Sequence, residues 1–203
     1  MTASGEGLRE RLRRTVREEL ASVALEMFVE RGFDATTVDA IAAAAGVSRS
    51  TFFRHFATKE DAVLSRSEVL IEQFRQAARA RPAGEPPMVA ARGALIPLIA
   101  DMTLHRERSA AIATLIATTP TLRARILDKQ SFMRTTLTEV MAERLGVDPA
   151  IDLRPDLIAA TTLSLLDVAH KAWLRGGNRS LADLVDEGFA TLRHECATST
   201  HVG

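Results

Sequence analysis

Apolar residues recur at three- and four-residue spacing from the start of the chain. Leu12, Val16, Leu20, Val23, Ala24, Met27 and Phe28 form the first such series, which predicts an amphipathic helix from about Leu8. Gly32 suits the left-handed cap at its C-terminus. Thr36-Thr37-Val38-Asp39 then has the form of a capping box with Thr36 as N-cap. Val38, Ile41, Ala42 and Ala45 mark the apolar face of a short helix behind it. Gly46 breaks that helix, and Ser48 caps another over about Ser48 to His55. Thr58-Lys59-Glu60-Asp61 opens a further helix, expected to run to about Ala80.

Arg81-Pro82-Ala83-Gly84-Glu85-Pro86-Pro87 cannot continue a helix, because its prolines remove backbone donors and restrict φ. A domain boundary is expected there. Beyond it, Met88 to about Leu104 is strongly apolar, with a kink expected at Pro97, and another helix spans about Arg106 to Ala117. Thr119-Pro120 opens a helix that ends near Gly146, and Pro155 opens one that ends at Gly176-Gly177. Ser180-Leu181-Ala182-Asp183 caps the last, with Leu181, Leu184, Val185, Gly188, Phe189 and Leu192 on one face. The segment Thr2 to Gly7 is small and polar, an expected disordered tip.

Composition supports this pattern. The chain has 203 residues, 46% hydrophobic and without Tyr, and lacks period-two runs of β-branched residues, so an all-α fold with a sizeable core is expected. The formal net charge is zero, so any nucleic-acid surface must come from local clustering. The single cysteine, Cys196, excludes an internal disulfide, and no uninterrupted apolar run is long enough for a membrane span. A soluble cytoplasmic protein without membrane association is expected.

A short helix, a tight glycine turn and a second short helix have helix-turn-helix geometry, although many helical corners share it. The second helix adds chemistry. Phe52 and Phe56 are four residues apart and suited to a small core. On another face Arg49 pairs with Phe53 and Ser50 with Arg54, and no acidic residue lies between Val47 and Lys59. Arginine to read guanine edges, hydroxyls that permit close approach and cations for phosphate are what a major groove requires. An ordinary solvated basic face has the same composition.

The stretch Ala24 to Val38, with Arg31-Gly32-Phe33-Asp34-Ala35-Thr36-Thr37-Val38 at its end, resembles the start of the TetR regulators' DNA-binding domain. Ile41-Ala42-Ala43-Ala44-Ala45-Gly46-Val47-Ser48-Arg49-Ser50-Thr51-Phe52-Phe53-Arg54-His55-Phe56-Ala57-Thr58-Lys59-Glu60 resembles its helix-turn-helix and the helix that follows. The resemblance implies an all-α, homodimeric transcription regulator, most often a repressor. Thr37, His55 and Lys59 match phosphate-contacting positions, and Arg49, Ser50 and Thr51 match positions facing bases or nearby backbone. Phe53 stands where the family often has a phosphate-binding Tyr, and Arg54 replaces a second common aromatic, with a charge that would restore a phosphate contact. With the cap Ser48, these residues make up the expected DNA surface. Arg9, Arg11, Arg13, Arg14 and Arg17 form a basic arm suited to DNA, or a solvated face partly neutralised by Glu10, Glu18 and Glu19.

The resemblance further implies a C-terminal domain that dimerises and holds an effector. The expected organisation is an N-terminal arm and helix-turn-helix over 1–57, a connecting helix over 58–81 and an effector and dimer domain over 82–203. Leu181, Leu184, Val185, Phe189 and Leu192 are the expected dimer stripe, or else core within one subunit. Met102, Ile116, Phe132, Met133, Leu137, Leu166, His170 and Trp173 are the candidate effector residues, although apolar residues on middle helices are more often plain core. Asp152 to Ile158 and Ala172-Trp173-Leu174-Arg175-Gly176-Gly177 resemble the C-terminal domain of TetR relatives connected with mycofactocin and acyl-CoA regulation. That likeness implies an elongated hydrophobic or acyl-type ligand.

Enzymatic motifs are missing: the sequence has no Gly-rich phosphate loop, His-Glu-x-x-His, Cys-x-x-Cys or Gly-x-Ser-x-Gly elbow. His194-Glu195-Cys196 is compact, but adjacent residues on a helix point apart, so no metal or cofactor is expected. The alternative reading is a protein of the same fold acting through a protein partner, with weak DNA contact. A small-molecule carrier or an enzyme on a helical scaffold would instead bind or turn over its ligand without any dependence on DNA.

Overall fold

A computed structural model describes residues 7–198, with side chains through Glu195. The expected tip, Gly7 apart, and the side chain of Cys196 lie outside the described residues. Among those described, eleven α-helices and no strand are found, as an all-α pattern requires. The chain divides into two compact units, one running through Glu68 and including Glu107–Leu127, the other comprising Val69–Arg106 and the chain from Asp128.

The first unit begins with α1 (Leu8–Arg31), which stops where Gly32 turns to positive φ and donates to the Phe28 carbonyl. Next come α2 (Val38–Ala44), α3 (Arg49–His55) and α4 (Lys59–Val63). The N-cap of α2 is Thr37, whose hydroxyl accepts from the Ala40 amide, which corrects the expectation for Thr36. Thr36 is instead buried and donates to the carbonyls of Met27 and Gly32, so it ties the end of α1 to the start of α2. Gly46 takes positive φ (66°) between α2 and α3, a conformation that would strain a side chain at this sharp corner. Ser48 caps α3 by accepting from the Thr51 amide, and Thr58 and Asp61 form a reciprocal capping box on α4.

The helix that opens at Lys59 does not run on to Ala80. It ends at Val63 and resumes as α5 (Ser67–Arg79). Both the Ser67 amide and its hydroxyl bond the Leu64 carbonyl, and Arg108 donates to the Ser65 hydroxyl at 2.9 Å. These contacts hold the chain out of helical register. Phe28, Phe33, Ile41, Phe52, Phe56 and Val63 form the centre of this unit's core. Burying each such side chain contributes roughly 1.5–3 kcal/mol relative to exposure.

The second unit contains most of α5, then α6 (Pro87–Ala94) and α7 (Ile96–Leu104), the larger part of α9 (Pro120–Leu145), α10 (Arg154–Leu174) and α11 (Leu181–Thr198). In between, α8 (Arg106–Thr118) belongs mainly to the first unit. The apolar stretch 87–104 breaks at Leu95, two residues before Pro97, and Ala91, Ala94, Leu95, Leu98 and Ile99 lie in the core. The proline-rich loop expected to mark a boundary lies inside this unit. Arg144 donates to the carbonyls of Arg81, Pro82, Ala83 and Glu85 and holds the loop down. Gly188 brings α11 close to α10, since a Cβ there would stand 2.6 Å from Leu165 Cδ2.

The apolar face of α11 points inward. Leu181 and Val185 are fully buried in their own unit's core, which corrects the expectation that they form a dimer surface. Leu184 and Phe189 are half-buried against the same core, and Leu192 is more exposed. Among the described residues, the large apolar side chains that α10 and α11 leave in solvent are Leu157, Val168 and Leu192.

Candidate DNA interface

Phe52 and Phe56 anchor α3, their rings 5.6 Å apart in the core, and the opposite face of the helix is thereby turned outward. That face carries Ser48, Arg49, Ser50, Phe53 and Arg54, all exposed, with Thr51 half-buried beside them. Ser48 Oγ lies 2.8 Å from Ser50 Oγ and 2.9 Å from Thr51 Oγ1, so the first turn presents a connected group of small hydroxyls. Phe53 sets its ring edge-on against Phe52 and remains 44% exposed. Thr37 is exposed as well, although its hydroxyl already serves the α2 cap.

Arg49 is not surrounded by cations alone. Its Nη1 donates to Asp39 Oδ2 of α2 at 2.5 Å, and its guanidinium carbon lies 5.3 Å from the centre of the Phe53 ring. The sequence around α3 contains no acid, and tertiary packing of α2 supplies one.

Two expected phosphate ligands are placed otherwise. Lys59 Nζ turns inward, donating to the carbonyls of Phe33 at 2.7 Å and Thr36 at 3.4 Å, 4.4 Å from the centre of the Phe33 ring. His55 is buried and off the outward face, with Nδ1 lacking a hydrogen-bond partner. Burial pushes its pKa down, and the nearby charges of Arg54, Arg13 and Arg17 add to the shift, so a neutral imidazole is favoured.

Arg17 of the basic arm is drawn to the end of α3. It donates to the His55 carbonyl and places its guanidinium 4.5 Å from the centre of the Phe56 ring. A cation at a helix C-terminus is favoured by the carbonyl dipoles. In the sequence, the interleaving of acids along the arm hides this arginine's distinct position.

Five of the eight candidate effector residues share one core. Leu137, Leu166 and Trp173 are buried in the second unit's core, with Met102 and Met133 packed against it. Ile116 packs in the first unit's core, and Phe132 is 57% exposed. Half-buried His170 lies 6.0 Å ring to ring from Trp173, and burial lowers its pKa. Arg106 covers the Trp173 ring at 4.2 Å and donates to the Trp173 carbonyl, contacts that sequence spacing does not reveal. A surface recess of about 450 Å³, bordered by the Arg134–Asp156 pair and lined also by Thr138, Glu139 and Pro149, contains none of the eight.

Comparison with known proteins accords with this geometry. Residues 20–64 match the family model of bacterial regulatory proteins of the tetR family, and residues 85–197 match that of the MftR C-terminal domain. The chain is 37% identical over 182 residues to the transcriptional regulator TcmR of Streptomyces glaucescens, covering 85% of this chain and 79% of that one. It is 29% identical over 182 residues to the transcriptional repressor AcnR of Corynebacterium diphtheriae, covering 84% and 90%. Among solved structures it is similar to Thermus thermophilus FadR in complex with lauroyl-CoA, at 26% identity and a TM-score of 0.52, covering 87% of this chain and 92% of that one.

Proposed function

The chain belongs to the TetR family of bacterial transcriptional regulators, and from that premise we propose that it is an effector-responsive repressor acting as a homodimer on a palindromic operator. The family and the named relatives are transcription regulators, not enzymes. The observation that carries the reading is the outward face of α3, where hydroxyls, Arg49 and Arg54 stand on a helix anchored by Phe52 and Phe56. Arg49 reads a base edge in this account. Ser48, Ser50, Thr51, Thr37 and Arg54 contact the phosphate backbone or nearby bases, with Arg17 supporting them from α1.

The first unit holds the DNA-reading head, and the second serves effector binding and dimerisation. Two heads must meet successive major grooves about 34–36 Å apart, which calls for a twofold dimer. Leu157, Val168 and Leu192, large apolar side chains that α10 and α11 leave exposed, form the self-complementary surface. AcnR is named as a repressor and FadR was solved with lauroyl-CoA, which supports repression and an acyl-type or other elongated hydrophobic effector. Leu166, His170 and Trp173 of α10, with Met102 and Met133, are the side chains nearest to that role.

The test is release of the complex by lauroyl-CoA. Duplex DNA selected by the protein from a random-sequence pool is bound to saturation, and lauroyl-CoA, free coenzyme A or laurate is added. Release by lauroyl-CoA but not by coenzyme A supports an acyl effector, and a complex unaffected by any of them removes that part of the reading.

A further inference from the structure

The corner between α2 and α3 holds a carboxylate that DNA binding alone does not call for. Asp39 and Arg49 have side chains 63% and 60% exposed, so the acid stands on the same outward surface as the arginine. Exposed ion pairs contribute little to folding, so stability does not account for an anion placed where phosphates would approach. Asp39 also lies in the first turn of α2, where the helix dipole favours it, but that effect requires no contact with Arg49.

We propose that Asp39 is a specificity-determining positioning residue that holds Arg49 for a base edge and opposes its capture by phosphate. This rests on the reading that α3 enters the operator's major groove. A mobile arginine at the start of a recognition helix gains affinity from any phosphate in reach, whatever the sequence. Here the guanidinium is gripped from two sides, by the carboxylate at Nη1 and by the Phe53 ring. The remaining donors of the planar fork stay available for guanine O6 and N7, a match that phosphate does not need and adenine or a pyrimidine does not offer. The carboxylate repels backbone phosphates, so binding that lacks the correct base carries an unfavourable contact.

The experiment uses the full chain and duplexes that it selects from a random-sequence pool. Wild type, Asp39→Asn, Asp39→Glu, Arg49→Ala and the Asp39→Asn/Arg49→Ala double variant are titrated onto a selected and a random duplex of equal length, over a series of salt concentrations. Circular dichroism verifies that each variant is folded. Asp39→Asn is expected to bind random DNA more tightly, with a log–log salt slope steeper by up to about 0.9. Its selected-to-random affinity ratio falls roughly tenfold, with preference relaxed at the same base position that Arg49→Ala relaxes. Asp39→Glu retains most of the ratio. In the Arg49→Ala background, Asp39→Asn changes the ratio no further, as expected of a residue acting through another.

An equal gain on both duplexes, with the ratio intact, overturns the inference and leaves Asp39 a surface anion. A loss of ratio that persists without Arg49 overturns it too. If Arg49→Ala itself leaves the ratio unchanged, it is the underlying reading of α3 that fails. If Arg49→Ala destroys discrimination and Asp39→Asn does not, only the present inference fails.

Discussion

Lys59 reaches back across the first unit to donate to the Phe33 carbonyl at 2.7 Å, with its ammonium over the Phe33 ring. The lysine therefore pins the loop between α1 and α2 to the start of α4. Lys59→Met is expected to lower the unfolding free energy by about 1–2 kcal/mol, from lost charge-assisted hydrogen bonds and cation–π contact. Chemical denaturation measures the loss. The salt slope of DNA binding should stay unchanged, whereas loss of a true phosphate contact would flatten it by roughly 0.9.

Arg54 presents its charge outward at the end of α3, one residue past Phe53. Arg54→Ala is expected to weaken binding to selected and random duplexes alike and to flatten the salt slope by about 0.9. Titration at three or more salt concentrations checks it. A loss confined to the selected sequence would make Arg54 a base reader instead.

The depressed pKa of His55 gives folding a pH dependence whose sign is set by burial first and by Arg54, Arg13 and Arg17 second. Below the ordinary histidine value near 6.5, the unfolded chain takes up the proton more readily than the folded one. The stability that His55 contributes is complete above that value and is lost as pH falls toward the folded pKa. His170 shifts in the same direction, so the two add. Urea unfolding of wild type, His55→Gln and His170→Gln at pH 7.5 and 5.5 separates them: each variant should lose part of the acid sensitivity.

Val168 is 63% exposed on α10, whereas Leu181 is fully buried at the start of α11. Val168→Glu is expected to give a folded monomer by sedimentation. Leu181→Ala should leave the dimer intact in native conditions but cost about 2–5 kcal/mol of stability, the usual cost of emptying a core leucine site. A dimeric Val168→Glu would move the interface away from the outward face of α10.

Much of this architecture was legible in the sequence because its helix starts are written in local chemistry. Ser48, Thr58 and Ser180 each lie three residues before the amide or acid that completes the cap. Thr36 and Thr37 were harder to rank, since adjacent threonines offer the same hydroxyl. The choice is made by the Met27 carbonyl, nine residues away, which takes Thr36. The break after Val63 depends similarly on Arg108, far along the chain. Periodicity identified the apolar face of α11 but not what it faces: Leu181 and Val185 meet their own core. At the candidate DNA surface, spacing along α3 correctly separated inward Phe52 and Phe56 from outward Arg49, Ser50, Phe53 and Arg54. It had no means of showing that Asp39, ten residues earlier, would meet Arg49.

In the proposed function α3 reads DNA sequence through Arg49. The most direct measurement is the ratio of affinities for a selected and a random duplex, for wild type and for Arg49→Ala, at one salt concentration. Arg49→Ala is expected to cost about 1–3 kcal/mol on the selected duplex and to change random binding little. Equal losses on both duplexes, or none on either, would contradict it.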